Sequence, residues 1–167
     1  MNVNEEWMLI TESLREELGE YGKLLHLFEE QQLALFERNA DNVLMLSTSI
    51  EQQVNVMHDC RRRREHLVAS FALASGRPAN STLRSLLPLF ETAVRPLVEA
   101  LIKEVNVLIH RIRRVSHHNH TLLASAVESH QQTLRVLRPD AFTQVYSPNG
   151  RSRINVVRPA TALRTAG

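Results

Sequence analysis

The sequence is poor in the residues that mark several common protein classes. Its 167 residues contain one cysteine, which excludes an internal disulfide and is typical of a reducing compartment. Aromatic residues make up 5% and glycines number five, whereas Leu, Glu, Arg and Gln are abundant, which favours helices. No apolar run approaches the roughly 20 residues of a membrane span, and residues 1–6 lack the basic and apolar regions of a signal peptide, so none is expected. We therefore expect an all-α protein in the cytoplasm, without membrane insertion.

Patterns for catalysis and for metal binding are missing as well. Three of the eight histidines cluster at His117, His118 and His120, but no His-x-x-x-His pair or Glu-x-x-His spacing accompanies them. Cys60 precedes four arginines, yet it lacks a partner for nucleophilic chemistry, and its place on an apolar stripe predicts a buried thiol. A glycine-rich phosphate loop is also missing. We expect no enzymatic activity, no metal site and no cofactor.

The main positive feature is an apolar residue at every seventh position over a long stretch of the chain. The row consists of Leu87, Val94, Leu101, Leu108, Val115 and Leu122. Spacing of seven residues keeps side chains on one face of a helix, which predicts a long helix with a buried seam, as in a coiled coil. Similar rows from Trp7 to Leu35 and from Val43 to Phe71 predict two more helices.

Together these patterns predict three long antiparallel helices, an elongated bundle or coiled coil within residues 1–137. The helices are expected at about 4–38, 41–74 and 82–137. Asp41 is expected to cap the second helix, and Pro88 and Pro96 predict kinks in the third. Residues 138–167 are polar, basic and rich in turn residues, so they are predicted to form a flexible tail.

The small net charge of +2 conceals a strong asymmetry along the chain. Residues 1–60 carry a net charge of −9, and residues 61–167 carry +11. Antiparallel pairing of the first two helices places the four arginines of residues 61–64 opposite Glu12, Glu16, Glu17 and Glu20. The arginine run is therefore interpreted as an intramolecular charge match rather than a nucleic-acid patch.

The third helix is longer than its two neighbours can cover. Antiparallel stacking ends near residue 115, which leaves residues 116–137, roughly 33 Å of helix, beyond the bundle. This segment still carries Leu122, Leu123, Ala126, Val127, Leu134 and Leu137. An uncovered apolar helix face needs a partner, which is a second copy, a client protein or the same chain folded back.

Two short motifs resemble those of the FlgN-type flagellar type III export chaperones. The stretch from His118 to Leu123 (HNHTLL) is similar to the family's Asn-rich segment ending in Leu-Leu, with histidines in place of part of the Asn pattern. The stretch from Val145 to Gly150 (VYSPNG) resembles its Tyr-x-x-x-Gly tail motif. The chain length and the three long helices agree with the same family.

The resemblance implies a cytoplasmic chaperone that binds the C-terminal helices of hook-filament junction (hook-associated) proteins. Such a chaperone prevents premature assembly and delivers its clients to the type III export gate. The implied client-binding residues are Asn119, Leu122, Leu123, Ala126, Val127, His130, Leu134 and Leu137. The implied export-gate contacts are Val145, Tyr146 and Gly150. No cofactor and no nucleic acid is expected, and the protein is a monomer or a homodimer.

Two other functions stay open. The long helix is also compatible with a structural protein that dimerises as a coiled coil. The basic second half of the chain is compatible with a helical nucleic-acid-binding protein.

Overall fold

The computed structural model describes residues 3–137, 142–146 and 152–156, with side chains from residue 6 to residue 137. The helices are α1 (Val3–Phe36), α2 (Ala40–Ala74), α3 (Leu83–Leu86) and α4 (Arg95–Leu137), and a short 3-10 helix spans Leu87–Leu89. This supports the all-α class, with four α-helices in the described residues where three were predicted. Two strands, β1 (Phe142–Tyr146) and β2 (Ser152–Val156), were not predicted; they pair antiparallel, with Tyr146 opposite Ser152.

The chain forms two compact units, residues 1–120 and residues 121–167, and the boundary falls within α4. In the first unit, α1 and α2 pack antiparallel, as the contact of Gln31 Nε2 with Ser47 Oγ at 3.0 Å illustrates near the turn that joins them. Helix α4 runs in the same direction as α1, because Val98 shares a core with Ile10 at one end while Asn119 bonds Phe28 at the other. The coiled-coil type of packing stays a prediction.

The turn between α1 and α2 is closed by backbone hydrogen bonds around a residue with positive φ. Arg38 has φ 55°, and the amide of Asn39 donates to the carbonyl of Ala34 at 3.0 Å. The Asn39 side chain then accepts a bond from the amide of Asn42 at 3.1 Å and caps α2. The prediction that Asp41 is the cap is therefore wrong, since helix α2 begins one residue earlier and Asp41 lies in its first turn, where its charge suits the helix dipole.

Helix α2 ends in the same hydrogen-bonded motif with a more suitable residue. Gly76 has φ 68°, and the amide of Arg77 donates to the carbonyl of Ala72 at 2.8 Å. Glycine adopts this left-handed conformation at little cost, whereas an L side chain such as that of Arg38 does so at roughly 1–2 kcal/mol.

The segment predicted as a kinked third helix from residue 82 is interrupted instead. Pro88 lies in the 3-10 helix, and α4 begins only at Arg95, so Pro96 falls in its first turn and causes no kink. A proline is tolerated there because the first-turn amides have no partner within the helix. The Arg95 guanidinium donates to the carbonyls of Pro88 and Phe90 at 2.7 and 2.9 Å. These bonds link the first residue of α4 to the 3-10 helix and the residue that follows it.

The buried row of α4 is not the heptad row that was predicted from the sequence as the buried seam. Buried residues recur every seven positions at Val98, Val105, Ile112 and Asn119, whereas Leu101, Leu108 and Val115 are only half-buried. The buried apolar members pack against α1 and α2, in clusters that include Ile10 and Phe71 near one end and Tyr21 and Ile50 farther along. The core of the first unit therefore consists of successive apolar clusters along the three helices.

The arginine run pairs with acids both across the helices and within α2. Arg64 Nε donates to Glu17 Oε2 at 2.5 Å, and Arg63 lies 3.5 Å from Glu16. The other two arginines pair within α2, Arg61 with Glu65 and Arg62 with Asp59. The predicted charge match between α1 and α2 is therefore correct for Glu16 and Glu17 but not for Glu12 and Glu20, which bond Arg15 and Lys23 on their own helix.

Candidate functional site

Over residues 121–137, the second part of α4, large apolar side chains are exposed to solvent. The exposed fraction is 40% for Leu123, 47% for Val127, 48% for Leu134 and 71% for Leu137. Ala126 and His130 are exposed too, and Leu122 is half-buried. All seven predicted client-binding residues of this segment therefore lie at least partly open to solvent on one helix.

Their spacing places most of these residues on a single face. Leu123, Val127, His130, Leu134 and Leu137 follow one another at intervals of four and three residues, and we call this row the α4 distal face. Leu123, His130 and Leu137 each lie eighteen residues, or five helical turns, beyond a member of the buried row of α4. The sequence thus repeats on the distal face the pattern that is buried in the first unit.

The rest of the 121–137 segment is polar but weakly charged. Glu128 and Arg135 are its only acidic and basic residues apart from His130. Gln132 Nε2 contacts Glu128 Oε1 at 3.5 Å, and the hydroxyl of Thr133 donates to the carbonyl of Ser129 at 3.0 Å. An apolar row with polar flanks is the complement of another amphipathic helix.

Asn119, the remaining predicted client-binding residue, belongs to the first unit and is 3% exposed. Its Nδ2 donates to the carbonyl of Phe28 at 2.8 Å and to Gln31 Oε1 at 3.1 Å. Gln31 in turn donates to Ser47, so a polar chain joins α4, α1 and α2. The part of α4 that is covered by neighbouring helices therefore extends to Asn119. The prediction from the helix lengths, that this coverage ends near residue 115, is wrong by about one helical turn.

The residues predicted to contact the export gate lie near the C-terminus. Val145 and Tyr146 form the end of β1, opposite Arg153 and Ser152 of β2. Gly150 lies outside the described residues. Two of the three predicted export-gate residues, Val145 and Tyr146, therefore belong to the strand pair of β1 and β2.

Four exposed apolar side chains near the turn between α1 and α2 were not predicted from the sequence. Leu33 and Phe36 at the end of α1 are 59% and 60% exposed, and Leu44 and Met45 at the start of α2 are 68% and 63% exposed. Phe36 also meets the ring of His118 edge-on, with centroids 6.4 Å apart. These residues lie outside the heptad rows of their helices, and this position in the sequence could have indicated that they are exposed.

The described part of the chain offers neither a metal site nor a membrane-spanning helix. Within it, no three residues of the His, Cys, Asp and Glu types come together as a possible metal site. None of its helices is both long and apolar enough to cross a membrane. Cys60 is buried, as predicted, and Arg63 Nη2 contacts its Sγ at 3.1 Å.

Comparison with known proteins gives one result. A family model described as FlgN protein matches residues 8–154 of the chain. No curated protein and no solved structure matches it.

Proposed function

The chain belongs to the FlgN family, and we propose on that basis that it is a flagellar export chaperone for hook-associated proteins. The match includes nearly all of α1, the whole of α2, α3 and α4, and β1. The observation that carries the proposal is the exposed apolar row at residues 123–137 of α4. A chaperone that holds an unassembled client needs such a surface, because the client's own assembly helix is amphipathic.

In the proposed mechanism the client's C-terminal helix lies along the α4 distal face, with Leu122 and Ala126 at its edge. Full burial of an aliphatic side chain contributes about 1.5–3 kcal/mol, but these side chains are already partly covered and the client helix must become ordered. The net affinity is therefore moderate, which suits a partner that has to be released. Covering the client's assembly helix also prevents its premature polymerisation.

Asn119 contributes to the proposed site in a different way from the other residues. Its Nδ2 is occupied by bonds to Phe28 and Gln31, and its Oδ1, which has no hydrogen-bond partner among the described residues, is buried and so is not accessible to a client. We propose that it positions α4 against α1, so that the helix enters the client-binding segment in a defined register. The histidine beside it, His118, is held in a similar way by Gln32 at 2.9 Å.

Val127→Glu tests the proposed client site. The substitution places a charge in the middle of the apolar row, where a bound helix would have to desolvate it, so we expect at least about tenfold weaker binding of client C-terminal segments in calorimetry. The circular dichroism of the free variant should be unchanged, because Val127 is exposed.

Ser125→Glu is the matched control for this experiment. It adds the same charge two residues away, on the opposite side of the helix, and should bind clients normally. Unfolding of the Val127 variant, or normal client binding by it, would contradict the proposal. Sedimentation of the unmodified protein adds a second check, since a tight dimer that Val127→Glu dissociates would instead favour the structural coiled-coil function.

We further propose that Tyr146 is the contact with the export gate, a role that the family's tail motif supports. Tyr146→Ala should leave client binding unchanged and reduce secretion of the client several-fold in an export assay. A matched change, Thr143→Ala, lies three residues earlier in β1 and should leave secretion unchanged. Equal loss of client binding and secretion in the Tyr146 variant would contradict separate roles for helix and tail.

A further inference from the structure

The first unit contains a cavity of about 540 Å³ between α1, α2, α4 and the start of α3. Its volume lies within the usual range of ligand-binding pockets. The cavity is formed entirely by residues of the first unit and includes no residue of the α4 distal face. It therefore requires an explanation separate from client binding.

The walls of the cavity are strongly cationic. Four arginines line it, Arg61, Arg64, Arg84 and Arg113, whereas Glu17 is its only carboxylate. Arg64 is paired with Glu17, and Arg61 is paired with Glu65 outside the cavity. The two remaining guanidinium groups, on Arg84 and Arg113, have no carboxylate within 4 Å among the residues whose side chains are described. Two unneutralised cations at one cavity favour an anionic ligand.

The inner wall is mainly apolar and includes one buried carboxylate. Ile102, Val105 and Ile109 of α4 contribute aliphatic side chains. Glu17 is buried in this wall, and its Oε2 accepts the hydrogen bond from Arg64. Burial, together with the neighbouring Glu17 carboxylate, raises the pKa of Tyr21, which lines the same wall. A complementary ligand therefore needs hydrocarbon groups as well as negative charge.

We infer that this cavity binds an acidic, partly apolar peptide segment of a partner protein. Its carboxylates pair with Arg84 and Arg113, and its aliphatic side chains lie against the α4 wall. Phosphate satisfies the cations but offers nothing to the aliphatic wall, and a nucleic-acid backbone has the same shortcoming.

The test is a nuclear magnetic resonance titration of the full-length protein with two short peptides, each acetylated and amidated. One alternates Leu and Glu, and the other has Gln in place of every Glu. We expect the Glu peptide to shift the backbone amides of Asn106 and His110, with an affinity that falls as salt is added. The Gln peptide should bind about tenfold more weakly, since two exposed ion pairs are lost.

Three variants locate the binding. Arg84→Gln combined with Arg113→Gln should weaken binding of the Glu peptide about tenfold. Arg77→Gln combined with Arg114→Gln removes two exposed arginines that do not line the cavity, and it should leave the affinity nearly unchanged. Asn106→Trp places a large ring at the exposed edge of the cavity without altering charge, and it should abolish binding.

Several results would overturn the inference. These are equal affinity for the two peptides, no binding of either, equal weakening by both pairs of arginine substitutions, and unchanged binding to Asn106→Trp. If inorganic phosphate shifts the same backbone amides and binds more tightly than the Glu peptide, the cavity is a phosphate site. The titration is repeated on Val127→Glu, where binding should persist, so failure of the cavity proposal and failure of the client site are distinguishable.

Discussion

The two parts of α4 carry similar apolar patterns but differ in what covers them. In residues 95–120 the row of Val98, Val105 and Ile112 is at most 8% exposed. In residues 121–137 the corresponding row is exposed, with Leu123 at 40% and Leu137 at 71%. The same amphipathic pattern therefore places its apolar residues in the core in residues 95–120 and leaves them exposed to solvent in residues 121–137. The spacing of apolar residues determines which face of a helix is apolar. Whether that face is buried depends on how far the neighbouring helices extend along it.

The largest expected difference between the two parts is in stability. Ile112→Ala removes buried aliphatic atoms from the core it shares with Tyr21 and Ile50, so we expect a loss of about 2–4 kcal/mol in the free energy of unfolding. Val127→Ala, on the exposed part, should change it by less than about 0.5 kcal/mol. Urea denaturation followed by circular dichroism measures both. Comparable losses in the two variants would mean that residues 121–137 are covered in solution.

A smaller effect is expected where the buried row ends. Asn119→Ala breaks the polar chain to Gln31 and Ser47 and leaves buried groups without partners, which should cost about 1–2 kcal/mol of unfolding free energy. Asn106→Ala, an exposed position on the same helix, serves as the control and should be neutral or slightly stabilising. If Asn119→Ala leaves stability intact but weakens client binding, Asn119 is a direct client contact and the boundary between the two parts lies earlier in α4.

Much of the helical framework could be predicted from the sequence, because it depends on local spacing. The rows of apolar residues identified α1, α2 and α4, and the predicted ends of the first two lie within two residues of the observed ones. Chain-length arithmetic identified the segment around Leu123 and Val127 as uncovered, because it needs only the lengths of three helices and two loops. The resemblance to the family's motifs is the basis of the proposal that this segment binds a client.

The features that escaped prediction depend on three-dimensional neighbours. Asn119 occupies a heptad position, and spacing alone cannot tell a side chain that bonds a partner from one that bonds α1. Arg84 and Arg113 are far apart in the chain, and only packing places them on one cavity. Asn39 and Asp41 are both good capping residues, and the choice between them follows from where the turn after α1 closes.

The two turns that join the first helices differ in one residue with a consequence for folding order. Gly76 supplies the left-handed conformation at the end of α2 without steric cost, so that reversal is able to form early from local interactions. Arg38 opposes the same conformation, and the packing of Ala34 against Val43 and Leu46 has to offset that opposition. We therefore expect the first hairpin of helices to close through contact between its two arms, with the bend at Arg38 forming as they dock.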